Sequence, residues 1–317
     1  MKYVNLGKNG PKISTIGFGA WGISGRDWGT TDDKKSKLAI HEALDSGVNF
    51  IDTADTYGFG HSEELIAEVL DERGRKDEVV IATKAGNNFY PYLGKEYDST
   101  PANPDYSKKH LIFAAEQSLK RLRVDVIDLL QLHSPSAELM ENEETWEALK
   151  LLKEQGKIKL AGLSVQSFKE TEHAYILDKR RDVLDVLQIR YNLLERGAET
   201  VLLPKAMEYG LGIIVRIPLL FGLLAGKFNR ESRFGDNDHR RMNLSHEKLD
   251  KYLMQLDKIK SFFELHNEYS MAQLALRFCV SHPACHVAIP GGKTPEQVKE
   301  NIAASEIEID HKEFPGL

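Results

Sequence analysis

Asn49-Phe50-Ile51-Asp52-Thr53-Ala54-Asp55-Thr56-Tyr57-Gly58 changes character halfway along. Val48, Phe50 and Ile51 make a short apolar run, which predicts a buried strand; a polar, turn-rich run then ends at Gly58. Ser62 reads as the N-cap of a following helix, with Glu63 and Glu64 in its first turn and Leu65, Ile66, Val69 and Leu70 at helical spacing. A carboxylate, Asp52, therefore closes a strand, and a phenol, Tyr57, lies in the loop beyond it, so that both can face one crevice.

Outward from this stretch the same unit recurs. Short strands rich in Val, Ile and Leu are expected at 15–18, 48–52, 79–83, 126–132, 158–163, 185–190, 211–216 and 286–289. Helices are expected at 34–46, 62–72, 107–122, 140–155, 168–179, 198–209, 270–281 and 294–304. Strands apolar on both faces that alternate with helices make a parallel sheet. Eight such units in 317 residues fit an α/β fold of the (β/α)8 TIM-barrel type better than an open doubly wound sheet, with one domain over 1–317 as the economical reading. Residues 3–14 read as an N-terminal β-hairpin around Gly7-Lys8-Asn9-Gly10-Pro11. Two long excursions, 85–106 and 218–246, follow strands, and the second leads into an extra helix at 247–266. Both fall at the C-terminal face, where barrels keep their active sites.

Composition narrows the class. Lys+Arg 42 against Asp+Glu 48 gives a net charge of -6 with no long basic run, which argues against a nucleic-acid partner. Cys279 and Cys285, the only cysteines, lie in apolar surroundings and fit a reduced, cytoplasmic setting rather than a disulfide framework. No secretory leader is evident at Met1-Lys2-Tyr3-Val4-Asn5, and no apolar run nears the roughly 18 residues that span a bilayer. The sequence therefore points to a soluble protein with no membrane partner.

Chemically unusual residues stand at several strand ends: Asp52 with Tyr57 beyond it, Lys84, His133, Ser164, and Gln188 inside the sixth strand. Singly, each has an ordinary reading as a cap, a packing residue or a solvated charge. A parallel barrel brings them to the same end. A phenol is a weak acid with a reference pKa near 10, and a neighbouring ammonium lowers that value. A buried ammonium in turn needs a carboxylate. Tyr57, Lys84 and Asp52 would then form a tuned general acid, with His133 donating a hydrogen bond to a carbonyl oxygen. No His/Cys cluster has metal-ligand spacing, so no metal is expected.

Over essentially its whole length the chain resembles the aldo-keto reductases. The resemblance is carried by Gly17-Phe18-Gly19-Ala20-Trp21-Gly22, Phe50-Ile51-Asp52-Thr53-Ala54 with Tyr57-Gly58, Ala82-Thr83-Lys84 and Leu130-Gln131-Leu132-His133. Gln188-Ile189-Arg190-Tyr191-Asn192, Pro218-Leu219 with Gly222-Leu223-Leu224-Ala225-Gly226-Lys227, and Ile289-Pro290-Gly291-Gly292-Lys293-Thr294-Pro295 follow in the family's order. It implies a catalytic tetrad of Asp52, Tyr57, Lys84 and His133 with Tyr57 as the acid for reduction, and a nicotinamide cofactor laid across the barrel mouth. Gly17-Phe18-Gly19 is too short for the Gly-x-Gly-x-x-Gly dinucleotide fingerprint, so no Rossmann-type site is expected.

The resemblance further implies a carboxamide seat at Ser164 and Gln188, with Val165 where the family usually has Asn, and a stacking role for Arg216. Lys227 is similar to the pyrophosphate partner, with Pro218, Leu219, Gly222 and Gly226 in its loop and Gly222 and Gly226 allowing close backbone approach. Gly291 precedes the last helix, whose free N–H groups suit a phosphate. Lys293 is the candidate for a 2′-phosphate, and Gln297, Glu300 and Asn301 for the adenine, which favours NADP(H) and leaves NAD(H) possible. Trp21, with Tyr57 and His133, is expected to line the substrate pocket. Phe89, Tyr90, Tyr92 and Tyr97, with Asn87, Asn88, Asp98 and Asp105, suit sugars, polyols or aromatic aldehydes, or else pack their loop onto the barrel. A short chain end at Phe314-Pro315-Gly316-Leu317 suggests an open site.

The resulting expectation is an NAD(P)H-dependent reductase of a small aldehyde or ketone. An NAD-dependent sugar or pyridoxal dehydrogenase working in the oxidative direction is the alternative, followed by a redox-sensing channel β-subunit.

Overall fold

Residues Tyr3–Asn5 (β1) and Lys12–Ser14 (β2) pair antiparallel as the expected hairpin. Eight parallel strands follow: Phe18–Gly19 (β3), Phe50–Asp52 (β4), Val80–Ala85 (β5), Ile127–His133 (β6), Ile158–Ser164 (β7), Val186–Arg190 (β8), Gly212–Arg216 (β9) and Val287–Ala288 (β10). They neighbour one another in chain order. The computed structural model describes residues 1–26, 28, 31–74, 79–95, 103–236 and 238–316.

The sheet closes on itself. Gly17 N–H donates to the Ala288 carbonyl at 2.8 Å, Ala288 N–H to Thr15 at 3.0 Å and Gly19 N–H to Pro290 at 3.0 Å. The result is the (β/α)8 barrel anticipated from the alternation. Helices Asp33–Asp45, His61–Arg73, Lys108–Leu122, Glu143–Glu154, Glu170–Arg180, Leu202–Tyr209, Met271–Ser281 and Pro295–Ala303 surround it. The extra helix expected at 247–266 is two helices, His246–Lys258 and Lys260–Leu265, broken at Ile259. Among the described residues no helix is long and apolar enough to cross a membrane.

Successive strand side chains alternate between the barrel interior and the helix layer. Phe50, Val80, Ala82, Leu129, Leu160, Val186, Ile214 and Val287 fill the interior, and Leu6 and Ile13 of the hairpin join that cluster and plug the N-terminal end. Moving two residues towards each C-terminus along the same inward rows, the residue type changes. Asp52 follows Phe50, Lys84 follows Ala82, Gln131 and His133 follow Leu129, and Gln188 and Arg190 follow Val186. The apolar core thus ends in a polar layer at the barrel mouth.

The turn after β4 departs from the expected cap. The N-cap of helix His61–Arg73 is Gly60, in the left-handed region at φ 96°, rather than Ser62. Ser62 is fully buried inside the helix, where its hydroxyl donates to the Ala20 carbonyl at 3.2 Å and bonds Thr53 Oγ1 at 2.9 Å. Glu63 suits the first turn as expected, but it is also buried, accepting from Thr83 Oγ1 and Arg121 Nε, each at 2.6 Å. That ion pair explains the glycine: a Cβ at Gly60 would lie 2.4 Å from Arg121 Cδ. Gly60→Ala is expected to destabilise the protein by about 1–3 kcal/mol, through strain at positive φ and displacement of Arg121 from Glu63. Thermal unfolding checks this, and an unchanged midpoint would contradict it.

Candidate active site

Register brings the four tetrad candidates together. Asp52 pairs with Ala82, and Lys84 lies one pleat further along the same inward row. Lys84 Nζ donates to Asp52 Oδ1 at 2.5 Å and to the Thr53 carbonyl at 2.7 Å, and reaches Tyr57 Oη at 3.5 Å. Lys84 and Asp52 are both almost wholly buried. Burial works against the lysine's charge, but Asp52 and Tyr57 together outweigh it and the ammonium is held above its ordinary value.

The phenol does not follow the expected direction. Burial pushes Tyr57 above its ordinary value, and the Lys84 charge only partly offsets this. Desolvation of the phenolate is the larger effect because Tyr57 sits against Trp21 on one side and His133 on the other. The Trp21 ring stacks at 6.0 Å and the His133 ring meets Tyr57 edge-on at 5.8 Å. Tyr57 is therefore protonated at neutral pH.

His133 is held by neighbours rather than by charge. Its backbone carbonyl accepts from Tyr106 Oη at 2.6 Å, and Nδ1 lies 3.5 Å from Thr56 Oγ1. Burial, with Lys84 and Arg216 nearby, lowers its pKa to about 3. The imidazole is thus neutral and presents a hydrogen-bond donor rather than a cation.

A cavity of about 660 Å³ opens over this cluster. Asp52, Tyr57, His133, Ser164, Gln188, Arg216, Pro218, Leu219, Gly222, Lys227, Gly291, Lys293, Gln297, Glu300 and Asn301 all line it, as does Trp21. Lys84 is beneath the wall, and Gly226 closes the turn after Ala225 at φ 68° without lining the cavity. Arg216 crosses the floor. Its Nη2 donates to the Val165 carbonyl at 2.8 Å and to Ser167 Oγ at 3.0 Å, while its Nε is buried and finds no partner among the described residues. Val165 thus contributes its backbone, and its side chain lies in the core. Burial and the neighbouring Arg190 lower Arg216 to about 10, still charged at neutral pH.

The loop over this wall is built from backbone conformations that side chains rarely adopt. Ile217, Leu220 and Phe221 have φ of 57°, 45° and 57°. Strain of this kind, in non-glycine residues and a β-branched one among them, collects at ligand-binding walls.

Beyond Trp21 and Trp28 the cavity wall is cationic. Lys293 Nζ donates to the Trp28 carbonyl at 2.9 Å, and burial together with Arg240 lowers the lysine's pKa. Arg240 itself is paired with Asp238. A cavity lined by a neutral proton donor, a guanidinium and the cations Lys293, Arg240 and Lys227 suits a ligand that carries both a reactive head and anionic groups. A nicotinamide dinucleotide has that form.

Several lining residues had no motif to mark them. Trp28, Phe228, Arg240 and Asn243 line the cavity. Trp28 forms a β-bridge with Asp238, and His239 packs against both the Trp21 and Trp28 rings, at 4.5 and 4.3 Å. The 218–246 excursion thus meets the N-terminal loop above the mouth; its length was the only signal in the sequence. The 85–106 excursion behaves otherwise. Phe89 is fully buried and stacks on Phe59 at 5.1 Å and Tyr90 at 4.4 Å, and no described residue of this loop lines the cavity. Its aromatics pack the loop onto the barrel. Tyr97 and Asp98 lie outside the described residues.

Comparison with known proteins agrees with this geometry. Residues 15–317 match the model of the Aldo/keto reductase family. The chain is 34% identical over 311 residues to "Aldo-keto reductase YhdN" of Bacillus subtilis (strain 168), covering 97% of this chain and 88% of that protein. It is 33% identical to a "Probable voltage-gated potassium channel subunit beta" of Arabidopsis thaliana, covering 97% and 92% of the two chains. The solved glycerol dehydrogenase AKR11B4 from Gluconobacter oxydans superposes with a TM-score of 0.81 at 30% identity, over 97% of this chain and 90% of that one. Such a match over nearly the whole chain means that the protein belongs to the aldo/keto reductase family and is an NAD(P)H-dependent oxidoreductase.

Proposed function

We propose that the chain is an NADPH-dependent carbonyl reductase in which Tyr57 gives the proton to the carbonyl oxygen. The observation that carries the reading is the Tyr57 hydroxyl, protonated by burial yet within 3.5 Å of an ammonium that is itself fixed on Asp52. A bound reduced nicotinamide supplies the hydride. Tyr57 then loses its proton to the developing alkoxide, and Lys84 stabilises the phenolate left behind. Neutral His133 donates its N–H to the same oxygen and orients it. Trp21 forms an apolar wall that keeps water from the acid.

NADPH is favoured over NADH by Lys293 in the cavity wall, with Arg240, held by Asp238, beside it. A fluorescence titration with each cofactor tests this. Lys293→Ala is expected to weaken NADPH binding by about tenfold, the value of one charge-assisted hydrogen bond, and to leave NADH nearly unchanged. Equal losses for both would remove Lys293 from 2′-phosphate recognition.

The likeness to a glycerol dehydrogenase supports a second reading, oxidation of a polyol with NAD, and the likeness to a channel β-subunit supports a regulatory one. Tighter NADH binding with alcohol turnover would favour the dehydrogenase. Tight cofactor binding with no turnover of any carbonyl or alcohol would favour the regulatory subunit.

A further inference from the structure

Asp52 uses its two oxygens differently. Oδ1 takes Lys84, while Oδ2 accepts from Gln188 Nε2 at 2.7 Å and from Gln131 Nε2 at 3.2 Å. Gln188 Nε2 also donates to Gln131 Oε1 at 3.2 Å. Asp52, Lys84, Gln131 and Gln188 are all buried to within 2% of complete. In such surroundings a polar layer holds one arrangement only if its members satisfy one another.

Gln131 does not line the cavity, whereas Asp52 and Gln188 do. Its place is made by the neighbouring strand. Gln131 pairs in register with Gly162, and a Cβ there would lie 2.8 Å from Gln131 Cγ. Any larger residue at 162 would press on this amide.

The orientation of Gln188 follows. An amide placed against a carboxylate must turn its N–H groups towards it. One N–H of Gln188 goes to Asp52 and the other to Gln131, so only its carbonyl oxygen is left to face the cavity. Gln188 can therefore accept from a carboxamide N–H but cannot donate to a carboxamide oxygen.

We propose that Gln131 is a positioning residue that couples the proton donor to the carboxamide seat: it fixes Asp52, which aims Lys84 at Tyr57, and it turns Gln188 so that its oxygen faces the nicotinamide amide. The proposal rests on the reading of Tyr57 as the proton donor.

Two variants and two measurements test it without requiring the substrate. Tyr57 is titrated in the NADP+ complex by its phenolate absorption, as the difference between each protein and its Tyr57→Phe counterpart, and NADPH affinity is read by fluorescence. Gln131→Glu adds a second carboxylate beside Asp52, and in the alkaline range where the phenol titrates this charge holds the phenol's proton. The Tyr57 midpoint is expected to rise by about one pH unit. Gln131→Met, of similar size but without an amide, frees Gln188 and is expected to weaken NADPH binding about 5- to 10-fold.

A merely structural role would lower thermal stability and leave NADPH affinity unchanged in Gln131→Met. A Tyr57 midpoint at the wild-type value in Gln131→Glu, or unchanged NADPH affinity in Gln131→Met, overturns the proposal. Should either protein fail to fold, Gly162→Ala displaces the same side chain from the next strand without adding charge; it is expected to weaken NADPH binding as Gln131→Met does, and an unchanged affinity there overturns the proposal. If Tyr57→Phe keeps wild-type turnover, the proton-donor reading fails; if it is inactive and the Gln131 readings stay put, only the present proposal fails.

Discussion

Tyr57→Phe is expected to lower turnover about 10²- to 10⁴-fold, the range that a positioned general acid contributes, and to leave the NADPH dissociation constant unchanged. The substitution removes one oxygen and keeps the ring. The stacking on Trp21 and the edge contact with His133 therefore survive, and the cavity keeps its shape. What disappears is the proton and the atom that Lys84 approaches at 3.5 Å. Steady-state rates and a fluorescence titration on the same preparation separate the two effects. Equal turnover in the two proteins would mean that the proton comes from water or from His133. The latter is disfavoured because burial holds that imidazole neutral, with its pKa near 3.

Asp52→Asn has the second large expected effect, and it falls on stability as well as on rate. The carboxylate receives Lys84 on one oxygen and two glutamine amides on the other, and all of these groups are donors. An asparagine amide keeps the size but sets its own N–H groups against them. Lys84, almost wholly buried, loses its counter-charge. Breaking a buried pair from one side costs about 3–5 kcal/mol, because the remaining charge has neither water nor partner. The unfolding midpoint in urea should fall accordingly, together with activity. An exposed pair such as Lys150–Asp182 has water as its alternative partner, and its removal should change little. A midpoint for Asp52→Asn equal to that of the wild type would show that Lys84 is not charged in the folded protein.

The two experiments probe different consequences of one fact: the polar layer lies above an apolar core and below a covered mouth. Phe50 and Asp52 are two residues apart on one strand and differ completely in environment. The apolar residue packs inside the barrel with Leu129 and Ile214; the acid meets Lys84, Gln131 and Gln188 at the point where the strands end.

Much of this was legible in the sequence. Strand–helix alternation determined the barrel, because apolar runs of strand length can be buried on both faces only in a parallel sheet covered by helices. Asp52, Lys84 and His133 were legible because each interrupts an apolar strand at its C-terminal end, and Tyr57 because it stands in the loop just beyond one; a parallel barrel gathers those ends. The hairpin was marked by its glycine turn.

Other features depended on contacts between residues far apart in the chain. Ser62 has the composition of a helix cap, but the cap is Gly60, where Arg121, distant in the chain, fills the space a side chain would need. The sign of the Tyr57 shift was decided by burial: the Lys84 charge was readable from residue types, whereas the desolvation that outweighs it is set by Trp21, His133 and the loops over the mouth. Phe89 and Tyr90 are suited by type to a substrate, yet they pack against Phe59 and Phe113. Trp28 and Arg240 carry no motif, and they meet at the cavity through the bridge between residues 28 and 238 and the contact of the guanidinium with the indole. The sequence by itself therefore determined the barrel and the kinds of group at its mouth, since strand periodicity assigns each residue to a face. Only the tertiary structure decided which loop covers the site, which way each amide turns and how acidic the phenol is, since those depend on water excluded by residues that local sequence does not bring together.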